Sequence, residues 1–299
     1  TLKNNTSFPV SLHAHGVHYL KPYEGAGYPD GTTGSDNPRR GKNRAYQTIQ
    51  AAIDDAVAGS VILVSPGRYD ETVTISRSAA HANLSIIGMG GAQAAYIKPS
   101  TEDANGLLNY ADGLTLRNIG VFGEDTTSAV SFTNFGSDVL CVDCVFGEGA
   151  TQIQTGPGTA AQIAAGTHGE GHRVTFERCT VRDGTTGVIL TSTNNGVMKR
   201  VRFIDCVFSA LTAAALEEAG GTASTRFQAL LVKDSVFLPA LDGTAATKYV
   251  SLDDDNANTG IVTGCRFMTA LNSGLNLVST KVIWSGNFHP AGLSTTQPS

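Results

Sequence analysis

The chain has 299 residues, a formal net charge of −5, and only 16% charged residues. An acidic balance excludes a nucleic-acid scaffold, which needs a basic stripe to neutralise phosphates. No apolar run reaches the roughly 18 residues of a membrane helix. Thirty-four Gly, one Trp and three Met point to a turn-rich, all-β protein of many short strands.

In chain order, residues 1–42 hold little periodicity and are expected to form an N-terminal arm and lead-in loop, turn-rich over Gly25–Gly34. A helix follows: Tyr46, Ile49, Ala52, Ile53, Ala56 and Val57 recur at helical spacing, and Gly59 stands where a stop is expected. Such a helix would cover the open end of the structure that comes next. From Ile62 onward a short apolar strand ends in a small residue and is usually followed, one position later, by an apolar one. Copies read Val142-Asp143-Cys144-Val145-Phe146, Phe203-Ile204-Asp205-Cys206-Val207-Phe208 and Val232-Lys233-Asp234-Ser235-Val236-Phe237. Taking the small residue as marker gives 65, 88, 118, 144, 179, 206, 235 and 265, spaced 23 to 35 residues apart. That range fits a solenoid coil, with loops of variable length inserted between fixed strands. Residues 43–290 therefore read as one solenoid and 291–299 as a tail.

Residues two apart on a strand share a face. Stacked coils would place Cys144, Cys179, Cys206, Ser235 and Cys265 in one inward column. Phe146, Phe208, Phe237 and Phe267, with Val181, would form a second column, and the same parity puts Ile204 inside. Five Cys cannot all pair within one chain; buried free thiols are expected, as suits a reducing cytosol. No secretory signal is expected.

Two resemblances bear on the fold. Tyr46-Gln47-Thr48-Ile49-Gln50-Ala51-Ala52-Ile53, Gly59, Val61-Ile62-Leu63-Val64-Ser65-Pro66-Gly67-Arg68-Tyr69, Glu71 and Val73-Thr74-Ile75 resemble the entry into the pectin-lyase-like superfamily. That resemblance implies an all-β, right-handed parallel β-helix with a short N-terminal capping helix. Function is not implied, since the superfamily holds lyases, hydrolases, esterases and non-catalytic viral proteins. The Thr-, Asn- and Gly-rich coils, Asp255-Asn256-Ala257-Asn258-Thr259-Gly260 and the tail Gly292–Ser299 resemble virion structural proteins of tailed bacteriophages.

Several motifs compete for a role. His13-Ala14-His15-Gly16 resembles a multicopper oxidase segment, and imidazoles two apart on a strand do point the same way. None of His18, His81, His168, His172 and His289 forms a further His-x-His pair, so a plain lead-in strand is expected there. Asp253, Asp254 and Asp255, with Asn256 and Asn258, form the densest acidic cluster. They are candidates for a cation such as Ca²⁺ or for paired glycosidic acids; the alternative, and the expected one, is a solvated loop. Cys141 and Cys144 make a Cys-x-x-Cys, but positions i and i+3 of a strand face opposite sides. His168 and His172 are expected on an exposed Gly-rich loop. Asn5 and Asn83 match glycosylation sequons and are discounted. Arg182-Asp183 follows one repeat strand, with no matching acids recognised on adjacent coils. Ala150–Gly166 is expected as a surface loop, Leu211–Gly221 as a short helix, and Trp284 as an end cap as readily as a sugar platform.

The expected function is a non-enzymatic virion structural protein, a capsid decoration or a tail spike or fibre component. It would be assembled in the host cytoplasm as a homotrimer and joined to other virion proteins through the arm. It would use no cofactor and bind neither nucleic acid nor membrane. The alternative is a lyase or hydrolase acting on host surface polysaccharide, or a glycan-binding module. No catalytic residue is assigned.

Overall fold

The computed structural model describes residues 17–20, 46–90, 93–156, 170–191, 197–219, 227–239, 248–252, 259–268, 276–277, 281–289 and 292–294. They form a right-handed parallel β-helix. One ten-stranded sheet stacks the short strands that open each coil, from Val61–Val64 through Thr175–Glu177 to Val282–Ser285. Fourteen strands of a second sheet hold the long strands Gly120–Asn134, Val145–Thr155, Thr180–Thr191 and Val207–Ala219. Pairing between coils is parallel; Asn287–His289 and Gly292–Ser294 pair antiparallel at the C-terminal end. Within the segment read as an arm, Val17–Leu20 lies parallel along Val61–Val64 and extends the ten-stranded sheet. No helix among the described residues is long and apolar enough to cross a membrane.

The capping helix spans Ile49–Asp54. Thr48 caps it by accepting from the Ala51 amide, and Glu71 accepts from the amides of Ile49 and Gln50 at 2.6 and 2.9 Å. Three of the first turn's orphan donors are thereby satisfied. Ile49, Ala52 and Ile53 face the core, whereas Val57, expected to join them, lies beyond the helix and is exposed.

From Thr115–Arg117 onward, each coil turns from the first sheet to the second at a residue with positive φ. Asn118, Asp143, Arg178, Asp205, Asp234, Gly264 and Gly286 occupy this corner, with φ between 50° and 66°. Asn and Asp tolerate this conformation better than most residues. The corner resets strand parity, so the residues on both sides of it face inward. Before it, Leu116, Cys141, Phe176, Phe203, Val232, Val262 and Trp284 stack in register and are buried. After it come Ile119, Cys144, Cys179, Cys206, Ser235, Cys265 and Asn287, also buried. Three expectations are corrected by this geometry. Cys141 and Cys144 both point inward, because Asp143 between them is left-handed. Phe203 rather than Ile204 is the buried member of its coil. Gly88 and Asn118 align with the corner residues, one position short of the column that Ile119 joins.

The column after the corner has a hydrogen-bonding reason for its composition. The amide of Cys206 donates to Ser235 Oγ at 3.2 Å, and that of Cys265 to Asn287 Oδ1 at 2.9 Å. The thiols of Cys179, Cys206 and Cys265 likewise bond to the preceding coil, donating to Cys141 O at 3.4 Å, Phe176 O at 3.5 Å and Val232 O at 3.7 Å. Each side chain thus serves the backbone of the coil before it, and a buried amide without a partner would cost about 1–3 kcal/mol. All five thiols are free and buried.

Two residues further on, Val121, Phe146, Val181, Phe208, Phe237 and Phe267 form the expected second column. Phe208 and Phe237 stack at 4.8 Å between centroids, Phe237 and Phe267 at 4.6 Å. Trp284 is buried against Phe267 at 5.3 Å, so it offers no sugar platform. Such ring pairs add about 0.5–1.5 kcal/mol each beyond burial. At another bend Asn109, Asn134 and Thr155 form a buried polar ladder: Asn109 Nδ2 donates to Asn134 Oδ1 at 2.8 Å and Asn134 Nδ2 to Thr155 Oγ1 at 3.2 Å.

Leu211–Gly221 departs from the expected helix: residues 211–219 continue the strand Val207–Ala219. Ala214 and Leu216 lie in register with Thr186 and Val188, so sheet pairing overrides the helix propensity of Leu, Ala and Glu. In the stretch read as a loop from Ala150, residues 150–155 complete the strand Val145–Thr155.

Candidate functional site

The long strands of the second sheet contain a second left-handed position. Glu148 (φ 62°), Asp183 (φ 58°) and Ala210 (φ 53°) take it in three successive coils. Gly147, Arg182 and Ser209 are in register just before them, so these three residues follow the strand-to-strand repeat of about 4.8 Å. At this kink Phe146 points in, while Glu148 faces the solvent side. In the preceding coil the ladder slips near Gly147 and Gly149, and Glu124 donates its amide to Ala104 O at 3.1 Å. Lys98 extends from the end of the strand Ala95–Ile97, its amide bonded to Tyr69 O at 2.9 Å. Lys98, Glu124, Glu148 and Asp183, with Gly184, Thr185, Ala210 and Thr212, line an open cleft of about 560 Å³.

Lys98 is the electrostatic centre. Its Nζ donates to Glu148 Oε2 and lies 3.6 Å from Glu124 Oε2. The hydrogen bond with Glu148 raises the lysine pKa, against a smaller opposing effect of burial. Lys98 is therefore held as the ammonium ion. Arg68 braces it from behind, Nε donating to Lys98 O and a terminal nitrogen to Pro99 O, both at 3.2 Å. Arg182 pairs with Asp183 at 3.0 Å. Beside Lys98, Tyr96 meets Phe122 edge to face at 5.6 Å. The cleft therefore offers one ammonium donor, three carboxylates and two threonine hydroxyls. This set, with more carboxylates than cations, suits the hydroxyl groups of a polyhydroxylated ligand and places hydrogen-bond acceptors beside a donor.

Of the residues singled out in the sequence, Asp183 and Arg182 belong to this site. The adjacent coils do carry matching acids, Glu124 and Glu148, which is a correction to the expectation that they did not. Their signal was an acid beside a glycine after each repeat strand: Gly123-Glu124, Glu148-Gly149 and Asp183-Gly184. Lys98 lies too far from them in sequence to be joined without the coil register. Cys141 and Cys144 are core residues. His172 is largely buried rather than exposed; its Nε2 lies 3.0 Å from Glu170, and burial lowers its pKa. His13, His15, His168, Asp253, Asp254 and Asp255 lie outside the described residues.

No protein-family profile matches the sequence. Among solved structures, the fold is similar to pectate lyase Pel9A, with a TM-score of 0.65 and 14% identity, covering 91% of this chain and 68% of that one. Pectin methylesterase from carrot is similar at TM-score 0.57 and 11% identity, covering 82% and 78%. A pectin methylesterase in complex with a hexasaccharide is similar at TM-score 0.57 and 12% identity, covering 94% and 91%. At these identities the likeness is one of fold. In sequence, 49 residues are 55% identical to human ferroxidase HEPHL1, amounting to 15% of this chain and 4% of that protein. The chain thus matches only a small fraction of that protein's length.

Proposed function

We propose that this protein acts on a polysaccharide, binding an extended saccharide in the Lys98 cleft. The carrying observation is that Glu124 and Glu148 from consecutive coils meet Lys98, with Asp183 of the next coil lining the same open groove. Lys98 serves as the charged hydrogen-bond donor to the saccharide; Glu148 and Asp183, one coil apart, are the acceptors. The similarity in fold to a pectate lyase and to pectin methylesterases supports pectin-like, acidic chains as the first substrates to try. The test is binding and turnover on a panel of pectic and capsular polysaccharides, with Lys98→Met and Glu148→Gln as controls. Binding or turnover by the wild type that both variants lose is expected. A wild type that neither binds nor alters any member of the panel overturns the proposal.

A second reading, a trimeric virion structural protein, draws on one observation. Leu231, Ile261 and Ile283 are in register on the outer face of the last coils, and Ile261 and Ile283 are exposed. An apolar row of this kind suits contact between subunits. A monomeric mass in solution at micromolar concentration would count against it.

A further inference from the structure

Beneath the cleft lies a buried polar pair that neither the fold nor the cleft chemistry uses directly. Gln152 and Ser131 are both fully buried. They sit on adjacent coils, Thr151 and Ile153 being in register with Val130 and Phe132. Ser131 Oγ donates to Gln152 Oε1 at 2.8 Å and lies 2.8 Å from Gly147 O, while the Gly123 amide donates to it at 3.2 Å. Gln152 Nε2 donates to Gly149 O at 2.6 Å and more weakly to Asp183 O at 3.4 Å; its Oε1 accepts from the Gly149 amide at 3.3 Å. The pair therefore holds the residue on either side of Glu148, the residue before Glu124, and Asp183 itself. Gly184 leaves the room this needs: a Cβ there would stand 1.9 Å from Gln152 Nε2 and 2.4 Å from Gly149 O.

A structural role alone would need only a partner for each buried amide. Here the bonds gather on the segments that carry the three acids of the cleft. We propose that Gln152, seconded by Ser131, is a positioning residue that fixes the kinks bearing Glu148 and Asp183, and so sets the aim of Glu148 at Lys98 and of both acids at the bound saccharide. This rests on the Lys98 cleft being the functional site. Gln152 touches no ligand; it acts through the backbone of its neighbours. A Gln-to-Leu change keeps roughly the volume but removes the ties to Gly149 and Asp183, leaving only Ser131 on Gly147 and freeing the Gly149 side of the turn to relax and Glu148 to swing from Lys98.

The experiment uses the full chain labelled at lysine, and follows the Lys98 Nζ titration by NMR in the wild type, Gln152→Leu, Ser131→Ala and Glu148→Gln. Positioning predicts that Gln152→Leu lowers the Lys98 pKa towards that of Glu148→Gln. It also predicts no further change when the two are combined, because both act through one contact. Ser131→Ala, the milder change, should shift it the same way by less, and keeps the test open should Gln152→Leu fold poorly. Saccharide affinity should fall about tenfold in Gln152→Leu, the loss typical of one misdirected polar contact. An unshifted Lys98 titration in folded Gln152→Leu and Ser131→Ala, with only the melting temperature lowered, overturns the proposal. The titration needs no saccharide, so a wild type that binds none would sink the functional proposal while leaving this one to be decided by the lysine signal.

Discussion

The corner column and the kink column use the same backbone device and yield different surfaces. At the corner, positive φ recurs in seven coils and turns the flanking residues into the core, where thiols and rings stack. At the kink, three coils take positive φ, and two of these residues are carboxylates aimed into an open cleft. Left-handed backbone is therefore not by itself a mark of function, although strained positions do gather at sites. The kink is distinguished by what surrounds it: an acid beside a glycine, a buried amide beneath, and a lysine from an earlier coil above.

The comparison can be broken most forcefully from the core side. Phe237→Ala, which removes a buried ring stacked on both neighbours, should cost about 3–5 kcal/mol in urea unfolding. Saccharide affinity of the folded fraction should stay unchanged. Gly184→Ala should cost about 1–3 kcal/mol, as overpacking does, and should weaken binding too, because its Cβ displaces Gln152. Cys206→Val removes the thiol that donates to Phe176 O of the preceding coil and should cost about 1–3 kcal/mol. Cys206→Ser, which copies the residue at 235, should cost less in the same melts.

The thiol column also predicts a pH response. Burial pushes the Cys265 thiol up to about 12 from 9.0, and Cys141 and Cys179 well above 9.0. The folded state keeps protons that the unfolded chain releases, so this contribution is complete below the unfolded value. It should decline as pH rises from about 9 through the folded value. Urea melts between pH 8 and 11 should show the midpoint falling, and falling less in Cys265→Ser. The smallest stability effect belongs to the cleft: Lys98→Met should change unfolding free energy by about 1 kcal/mol or less, as partly exposed ion pairs do, while abolishing saccharide binding.

The core was largely legible because coils repeat chemistry. Cys-x-Phe at markers 144, 206 and 265 announced both inward columns, and the helix at Ile49 followed from periodicity. Parity was the hidden variable. It was carried straight through Asp143 and Asp205, yet each left-handed corner resets it, which is why Cys141 and Phe203 came out buried against expectation. Leu211–Ala219 looked helical because its residues favour helix when alone; in the fold, Thr180–Thr191 offers a full ladder beside it. The cleft was hardest to see. Lys98, Glu124, Glu148 and Asp183 are spread over 86 residues, and only the pairing of Ile97 with Val121 and of Gly147 with Phe122 and Arg182 brings them together.

That pairing also fixes a scale. The rungs bearing Glu148 and Asp183 are joined by a connection quite different in length from the one between Asp183 and Ala210, yet Gly147, Arg182 and Ser209 beside them fall in register. Graduations on this ruler are set by main-chain spacing, so residues can be added to or lost from the joining segments without moving a mark. Only the gain or loss of an entire winding would slide the acids past the lysine, and with them whatever sugar unit sits between.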